Sequence, residues 1–341
     1  MRNRVWRLRE RPGGTLSGDH FTLCDEELDE NGLSPGQVLV RNRLFLCTPA
    51  QRGWMSAEPN GHVPIIERGQ PVVAYTGGTV VQSMNPDFPE GTDLRYFGTW
   101  SEYQAIDPTG PFVERIEPRL TLFEGVAVYT LNMITAYVGL IFIGEPKAGE
   151  TLVVSGAAGS TGSTAIQIGR ILGMRTVGIA GGSAKCAYLR EELGADAVID
   201  YRAENVSQRL AELCPDGIDV FFDNVGGDIL QAAVDNIAKM GRIVLCGQIA
   251  GYDGGSCPGP RDMMQLVYGS VRMQGFISTD FLDRYEEIRA RLQDWVQDGD
   301  LIHREDVRQG FENLPDIYAS LFSGSNSGTL VAVIDPTLIQ D

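Results

Sequence analysis

Residues 151–163 read Thr151-Leu152-Val153-Val154-Ser155-Gly156-Ala157-Ala158-Gly159-Ser160-Thr161-Gly162-Ser163. An apolar, β-branched run, a glycine–alanine cluster and a following segment with apolar residues at Ile166, Ile168 and Ile171 predict a strand over 151–155, a tight turn, and a helix over 163–172. This succession suits a dinucleotide. Gly159 leaves the backbone open to a pyrophosphate, Gly162 lets helix and strand pack closely, and the helix-terminal amides of the Gly159, Ser160, Thr161, Gly162 turn face the phosphates. Ala157 stands where Gly-x-Gly-x-x-Gly has its first glycine, so the strand-to-helix context carries the reading, against a merely structural turn.

Outward from this stretch the pattern repeats. Apolar runs at 175–180, 197–200, 219–223, 242–246 and 272–276 alternate with helix-length segments, predicting a doubly wound, parallel, six-stranded sheet. An amphipathic helix is expected over 282–298, and the last β run, 329–334, is expected to return to the amino-terminal domain. The first 120 or so residues are rich in Gly and Pro and carry short β runs at 37–40, 71–75 and 103–106, which read as a mostly β domain. Between the two lies 125–144, apolar and long enough to cross a membrane. Its Thr130, Asn132 and Thr135 and the absence of a flanking basic excess favour a buried inter-domain helix.

The acid that would bind the ribose hydroxyls of NAD is missing after the second strand, where the chain reads Ala180-Gly181-Gly182-Ser183-Ala184-Lys185. Small residues, a hydroxyl and a cation suit a ribose phosphate, hence NADPH, although Lys185 is also an ordinary candidate for a solvated helix lysine. Arg202 is a second cation or plain surface charge.

Composition narrows the class. The 341 residues are 43% hydrophobic and 21% charged, and 28 basic against 45 acidic side chains give a formal charge of −17, which repels nucleic acid and anionic lipid. The six cysteines are dispersed without a Cys-x-x-Cys pair, arguing against disulfides or a zinc knuckle and for a reducing cytoplasm. No export signal is visible at the amino end.

With these residues in hand, the chain resembles the medium-chain dehydrogenase/reductase superfamily, in its zinc-independent branch of leukotriene dehydrogenase/prostaglandin reductases, curcumin reductase and plant alkenal double-bond reductases. The likeness covers almost the whole chain and rests on Gly36 to Asn42, the glycine turn, residues 180–189, Phe222-Asp223-Asn224-Val225-Gly226-Gly227, Gly241-Arg242-Ile243, and the tail from Gly310 to Gly328. It implies a GroES-like substrate domain over 1–124, completed by 308–341, and a Rossmann NADPH-binding domain over 125–307. Gly159–Gly162 then correspond to the pyrophosphate turn, and Lys185 and Tyr201 to ligands of the adenosine phosphate. Asn224, the loop Cys246, Gly247, Gln248, Ile249, Ala250, Gly251 and Tyr252, the segment Phe276, Ile277 and Ser278, and Asn326 correspond to stretches at the nicotinamide end. Read from local chemistry alone, the alternatives are a turn cap for Asn224 and a β-favouring strand end for Tyr201. Tyr268 matches a family tyrosine that supplies or relays a proton, and Tyr252 one beside nicotinamide and substrate, with plain packing the alternative for both rings. The family also implies a homodimer, and 272–276 reads as an open sheet edge. Thr48 to Met55 replaces the usual Asp-Pro-Tyr-x-Arg-Gly run, and Asn132-Met133 replaces Pro-Gly, which puts the substrate in doubt.

Zinc alcohol dehydrogenases share this architecture but need a Cys/His/Cys-or-Glu set. The three histidines, His20, His62 and His303, lie outside such a set, so no metal is expected. Three functions fit: an NADPH-dependent reductase of the double bond of α,β-unsaturated ketones or aldehydes, a quinone reductase, and a non-catalytic NADPH-binding sensor or scaffold.

Overall fold

The computed structural model describes residues 1–29, 31–56, 65–252, 254 and 257–339. The chain divides into two compact units, Met1–Val128 with Glu305–Asp341, and Tyr129–Arg304.

In the first unit β1 (Arg2–Leu8) and β2 (Phe21–Glu27) form an antiparallel pair. The main sheet contains β3 (Val38–Leu46), β4 (Val73–Ser83), β5 (Asp93–Thr99), β6 (Tyr103–Ile106) and β7 (Glu114–Arg115). The unit's last two strands, Glu305–Gln309 and Thr329–Val333, lie beyond the six strands of the second unit in chain order. The Thr329–Val333 strand is buried at every position and pairs antiparallel with β3, Val331 opposite Leu46, so it joins the amino-terminal sheet rather than extending the parallel one. Apolar side chains alternate inward and build a core around Phe45, Trp100 and Tyr318, the last two meeting edge to face with centroids 5.7 Å apart.

The second unit holds β8 (Thr151–Ser155), β9 (Arg175–Ala180), β10 (Ala197–Asp200), β11 (Ile218–Asp223), β12 (Ile237–Leu245) and β13 (Arg272–Gly275). They run in the order β10-β9-β8-β11-β12-β13 with every pair parallel. This is the doubly wound, Rossmann order. Its two cores follow from strand alternation: Leu152, Val154, Phe222 and Val244 enter one, Val153, Phe221 and Ile243 the other. The order reverses between β8 and β11, and in open α/β sheets ligands bind outside the carboxyl ends of the strands at such a switch point.

Several expectations needed adjustment. β12 begins at Ile237, because the chain enters the sheet early through a register shift opposite Ile218 and Val220, with Met240 at φ 63°. The helix after the sheet begins at Tyr285, behind a tight turn over Ser278–Arg284 kinked at Phe281. The apolar stretch Glu124–Gly144 is not one helix between domains. It breaks at Tyr129 and Thr130, where the Thr130 Oγ1 accepts from the Met133 amide 3.2 Å away and caps a new helix from Leu131. Two thirds of its most apolar window is buried, Val126 and Ala127 in the first unit's core and Ile134 to Ile143 in the second's.

Candidate functional site at the carboxyl ends of the parallel strands

The turn after β8 is built by close contacts. Gly156 has φ 58°, and the Ala157 amide donates to Ile179 O at 3.0 Å. Ala157 is tolerated where a glycine is usual because it packs on Gly178 of β9, which has no side chain: a Cβ there would lie 3.2 Å from the Ala157 methyl. The helix Ser160–Ile171 starts from Gly159, three residues earlier than its apolar spacing indicated. A Cβ on Gly162 would collide with the Gly156 carbonyl oxygen and come within 2.8 Å of the Ala157 Cα, so this glycine is demanded by the fold. A Cβ on Gly159 would meet only Gly156 O, at an ordinary 3.4 Å. Gly159, Ser160 and Thr161 keep partial exposure, and the amides of the first helical turn point out of the helix end.

At the end of β9 the backbone turns through Gly181 and Gly182, the latter with φ 92°. Asp200, closing β10, accepts from the Gly182 amide at 2.9 Å and the Arg202 amide at 3.0 Å, and these bonds hold its carboxyl below the usual range. The ring of Tyr201 lies against Gly181, where a Cβ would fall 2.7 Å from it, so any side chain at this position would have to displace that ring. Tyr201 is 45% exposed, with the Arg202 guanidinium 5.9 Å from its centroid. The ammonium of Lys185 is pushed down first by burial and then by Arg202, which brings the two cations to one place. Lys185, Tyr201 and Arg202 thus gather beside the Gly181–Gly182 turn, whose Asp200 carboxylate is taken up by the Gly182 and Arg202 amides, and they form a donor set that fits a ribose phosphate.

At the switch between β8 and β11, the Asn224 amide donates to Ser155 Oγ and its Nδ2 to Ser155 O, both at 2.8 Å. Its neighbour Asp223 is 1% exposed and accepts from Ser155 Oγ at 2.7 Å and from the amides of Val225 and Gly226 at 3.1 Å. The Asp223 carbonyl accepts from the Cys246 and Gly247 amides, and Ile249 and Ala250 donate to Asn224 O and Val225 O. The loop from Cys246 to Tyr252 is thereby folded over the end of β11. Gln248 Nε2 donates to Cys257 O, Gly251 sits against the Cys257 Cβ, and the Tyr252 hydroxyl accepts from the Gln248 amide at 3.3 Å. Burial pushes the Tyr252 phenol up and the Cys246 thiol up to about 12, so both are neutral near pH 7. The sequence reading overlooked Asp223 and Ser155. An acid closing an apolar strand beside a strand-ending serine was the available signal.

The remaining candidates are more dispersed. The Phe276 ring packs edge-on to Phe222 and fills the space above Gly139, where a Cβ would meet it at 2.5 Å; Ile277 is exposed and Ser278 buried. Tyr268 stands on the short helix Met264–Gly269 with 72% of its surface exposed. Asn326 belongs to the first unit, buried and donating to Gly328 O at 3.2 Å. Of the departing residues there, Gln51 bonds the Thr48 amide and Val73 O, and Arg52 is buried on the carbonyls of Pro12 and Gly14. His62 lies outside the described residues, His20 Nδ1 is engaged with Ser17, and no metal-holding group of three or more His, Cys, Asp or Glu occurs among the described residues.

Comparison with known proteins bears on both units. Residues 160–296 match the family described as zinc-binding dehydrogenase, and residues 4–113 the N-terminal domain of oxidoreductase. The chain is 35% identical over 337 residues to the NADPH-dependent curcumin reductase of Escherichia coli (strain K12), covering 97% of this chain and 96% of that one. It is 32% identical to prostaglandin reductase 1 of Mus musculus (96% and 97% covered) and 32% identical to the NADP(+)-dependent 2-alkenal reductase of Nicotiana tabacum (87% of each). The crystal structure of CurA from Vibrio vulnificus in complex with NADPH superposes with a TM-score of 0.90 at 33% identity, over 97% of this chain and 99% of that one.

Proposed function

The chain belongs to the zinc-independent branch of the medium-chain dehydrogenase/reductase family and is an NADPH-dependent reductase, and we propose that it reduces the carbon–carbon double bond of α,β-unsaturated ketones or aldehydes without a metal. One observation carries this reading: full-length likeness to reductases named for curcumin, 2-alkenals and prostaglandins, in a chain whose Lys185, Tyr201 and Arg202 turn fits the cofactor's ribose phosphate.

NADPH supplies the hydride for the β-carbon. The amides of the Gly159–Gly162 turn would hold its pyrophosphate, and Lys185, Tyr201 and Arg202 its adenosine phosphate. Asn224, the Cys246–Tyr252 loop and residues 276–278 would orient the nicotinamide end. As the β-carbon gains its hydrogen, negative charge develops on the carbonyl oxygen and the α-carbon needs a proton, so neutral hydroxyl donors must serve. Tyr252, half-buried and un-ionised, suits the first task; Tyr268 is assigned the second. The exposed edge strand β13, with Met263, Met264 and Val267 exposed nearby in sequence, is where we place a homodimer contact.

The test is product identification with deuterium-labelled NADPH and a panel of enals, enones and quinones. The reading requires a saturated carbonyl product with label on the β-carbon. An allylic alcohol, turnover confined to quinones, or no NADPH consumption refutes it.

A further inference from the structure

The buried carboxylate of Asp223 has no task in the reaction just described, and its surroundings are unusual. It sits at the carboxyl end of β11 with neutral donors only among the contacts described: Ser155 Oγ from β8 and the amides of Val225 and Gly226 from the following turn. Ser155 Oγ gives its hydrogen to Asp223 and accepts the Asn224 amide, so it relays one strand end to the next. The Asp223 backbone carbonyl meanwhile holds Cys246 and Gly247, the root of the Tyr252 loop. Burying a carboxylate without a cation sacrifices its solvation before the bonds are counted, and that loss pushes the Asp223 carboxyl up.

We infer that Asp223 is a positioning residue for the nicotinamide end of the cofactor: with Ser155 it locks the Asn224 turn to β8 and β11, so that Asn224 and the 246–252 loop are set before NADPH arrives. This rests on the cofactor reading above and names the device that makes its nicotinamide half rigid. The adenosine half, on β9 and β10, is held by Asp200 and does not pass through Asp223.

The experiment compares two ligands on Asp223→Asn, in which one acceptor oxygen becomes a donor facing the Gly226 amide. Dissociation constants are measured by titration calorimetry for NADPH and for adenosine 2′,5′-bisphosphate, which reaches the adenosine subsite alone. The expected result is an NADPH affinity weaker by about tenfold or more, as for loss of a charge-assisted bond, with the bisphosphate within about twofold. In an Asn224→Ala background the Asp223→Asn effect should largely vanish. Ser155→Ala, which removes the relay and one donor to the carboxylate but leaves its charge and its bonds from the Val225 and Gly226 amides, should repeat the pattern at about threefold and covers the case in which Asp223→Asn does not fold. Equal weakening of both ligands, or unchanged NADPH binding in the folded variants, overturns the inference. Failure of the unaltered protein to bind NADPH at all would instead bring down the cofactor reading beneath it.

Discussion

Replacing Lys185 by alanine tests the cofactor assignment most directly. Its ammonium shares the Gly181–Gly182 turn with Arg202. A charged hydrogen bond to phosphate contributes about 1.5–3 kcal/mol, or roughly tenfold to more than a hundredfold in affinity. Arg202 stays in place, so the ribose phosphate is not stranded, and the lower end of that range, about tenfold, is expected for Lys185→Ala. Lys185→Ala with Arg202→Ala should exceed a hundredfold. The NADH parameters should hardly move. Because burial and Arg202 lower the lysine's pKa, the charged form is disfavoured in the folded protein. Its cost is present at neutral pH and relieved as pH rises through the lowered value, so Lys185→Ala should leave the melting temperature unchanged or slightly raised. By the same sign, the preference for NADPH over NADH should fade on the alkaline side at a lower pH than an ordinary lysine allows, and Lys185→Arg should preserve it there. Steady-state kinetics with both cofactors from pH 7 to about 10.5 decide the matter. Equal weakening toward NADPH and NADH, or an unmutated protein that uses both equally, refutes the reasoning.

Gly162→Ala should lower the melting temperature by about 5 °C or more, because its methyl meets backbone rather than a movable side chain; Gly159→Ala should fold normally yet bind NADPH more weakly, and calorimetry showing the reverse assignment would exchange their roles. Tyr268→Phe should slow enone turnover by about tenfold to a thousandfold with NADPH affinity within about threefold. If Tyr268→Phe and Tyr252→Phe both keep full turnover, proton delivery falls to water or the cofactor ribose. Light scattering should give a dimer, and a concentration-independent monomer of 37.2 kDa would remove β13 as a contact.

Much of this protein was legible in one dimension because the central parallel strands are buried on both faces. Such strands must be continuous apolar runs, and 151–155, 175–180 and 197–200 stand in the structure as the pattern placed them. Glycine positions were equally readable, since Gly162 is dictated by a contact between residues six apart in sequence. The missing acid after β9 was visible too, but what lies beside the turn was not: Tyr201, twenty residues on, stands against Gly181, and only the pairing of β9 with β10 brings it there. The break at Thr130 was hidden because an N-cap within an apolar stretch reads as one more tolerated polar residue until its bond to Met133 is seen. Asp223 was hidden for a deeper reason. An acid ending a strand looks solvated in sequence, and only the alignment of β8 with β11 buries it and supplies Ser155, 68 residues away, as its donor. Local pattern therefore determined which segments became strands and where the backbone turned; partners from distant segments decided what each polar group at the strand ends does, because a hydrogen bond depends on distance in space and not on separation along the chain.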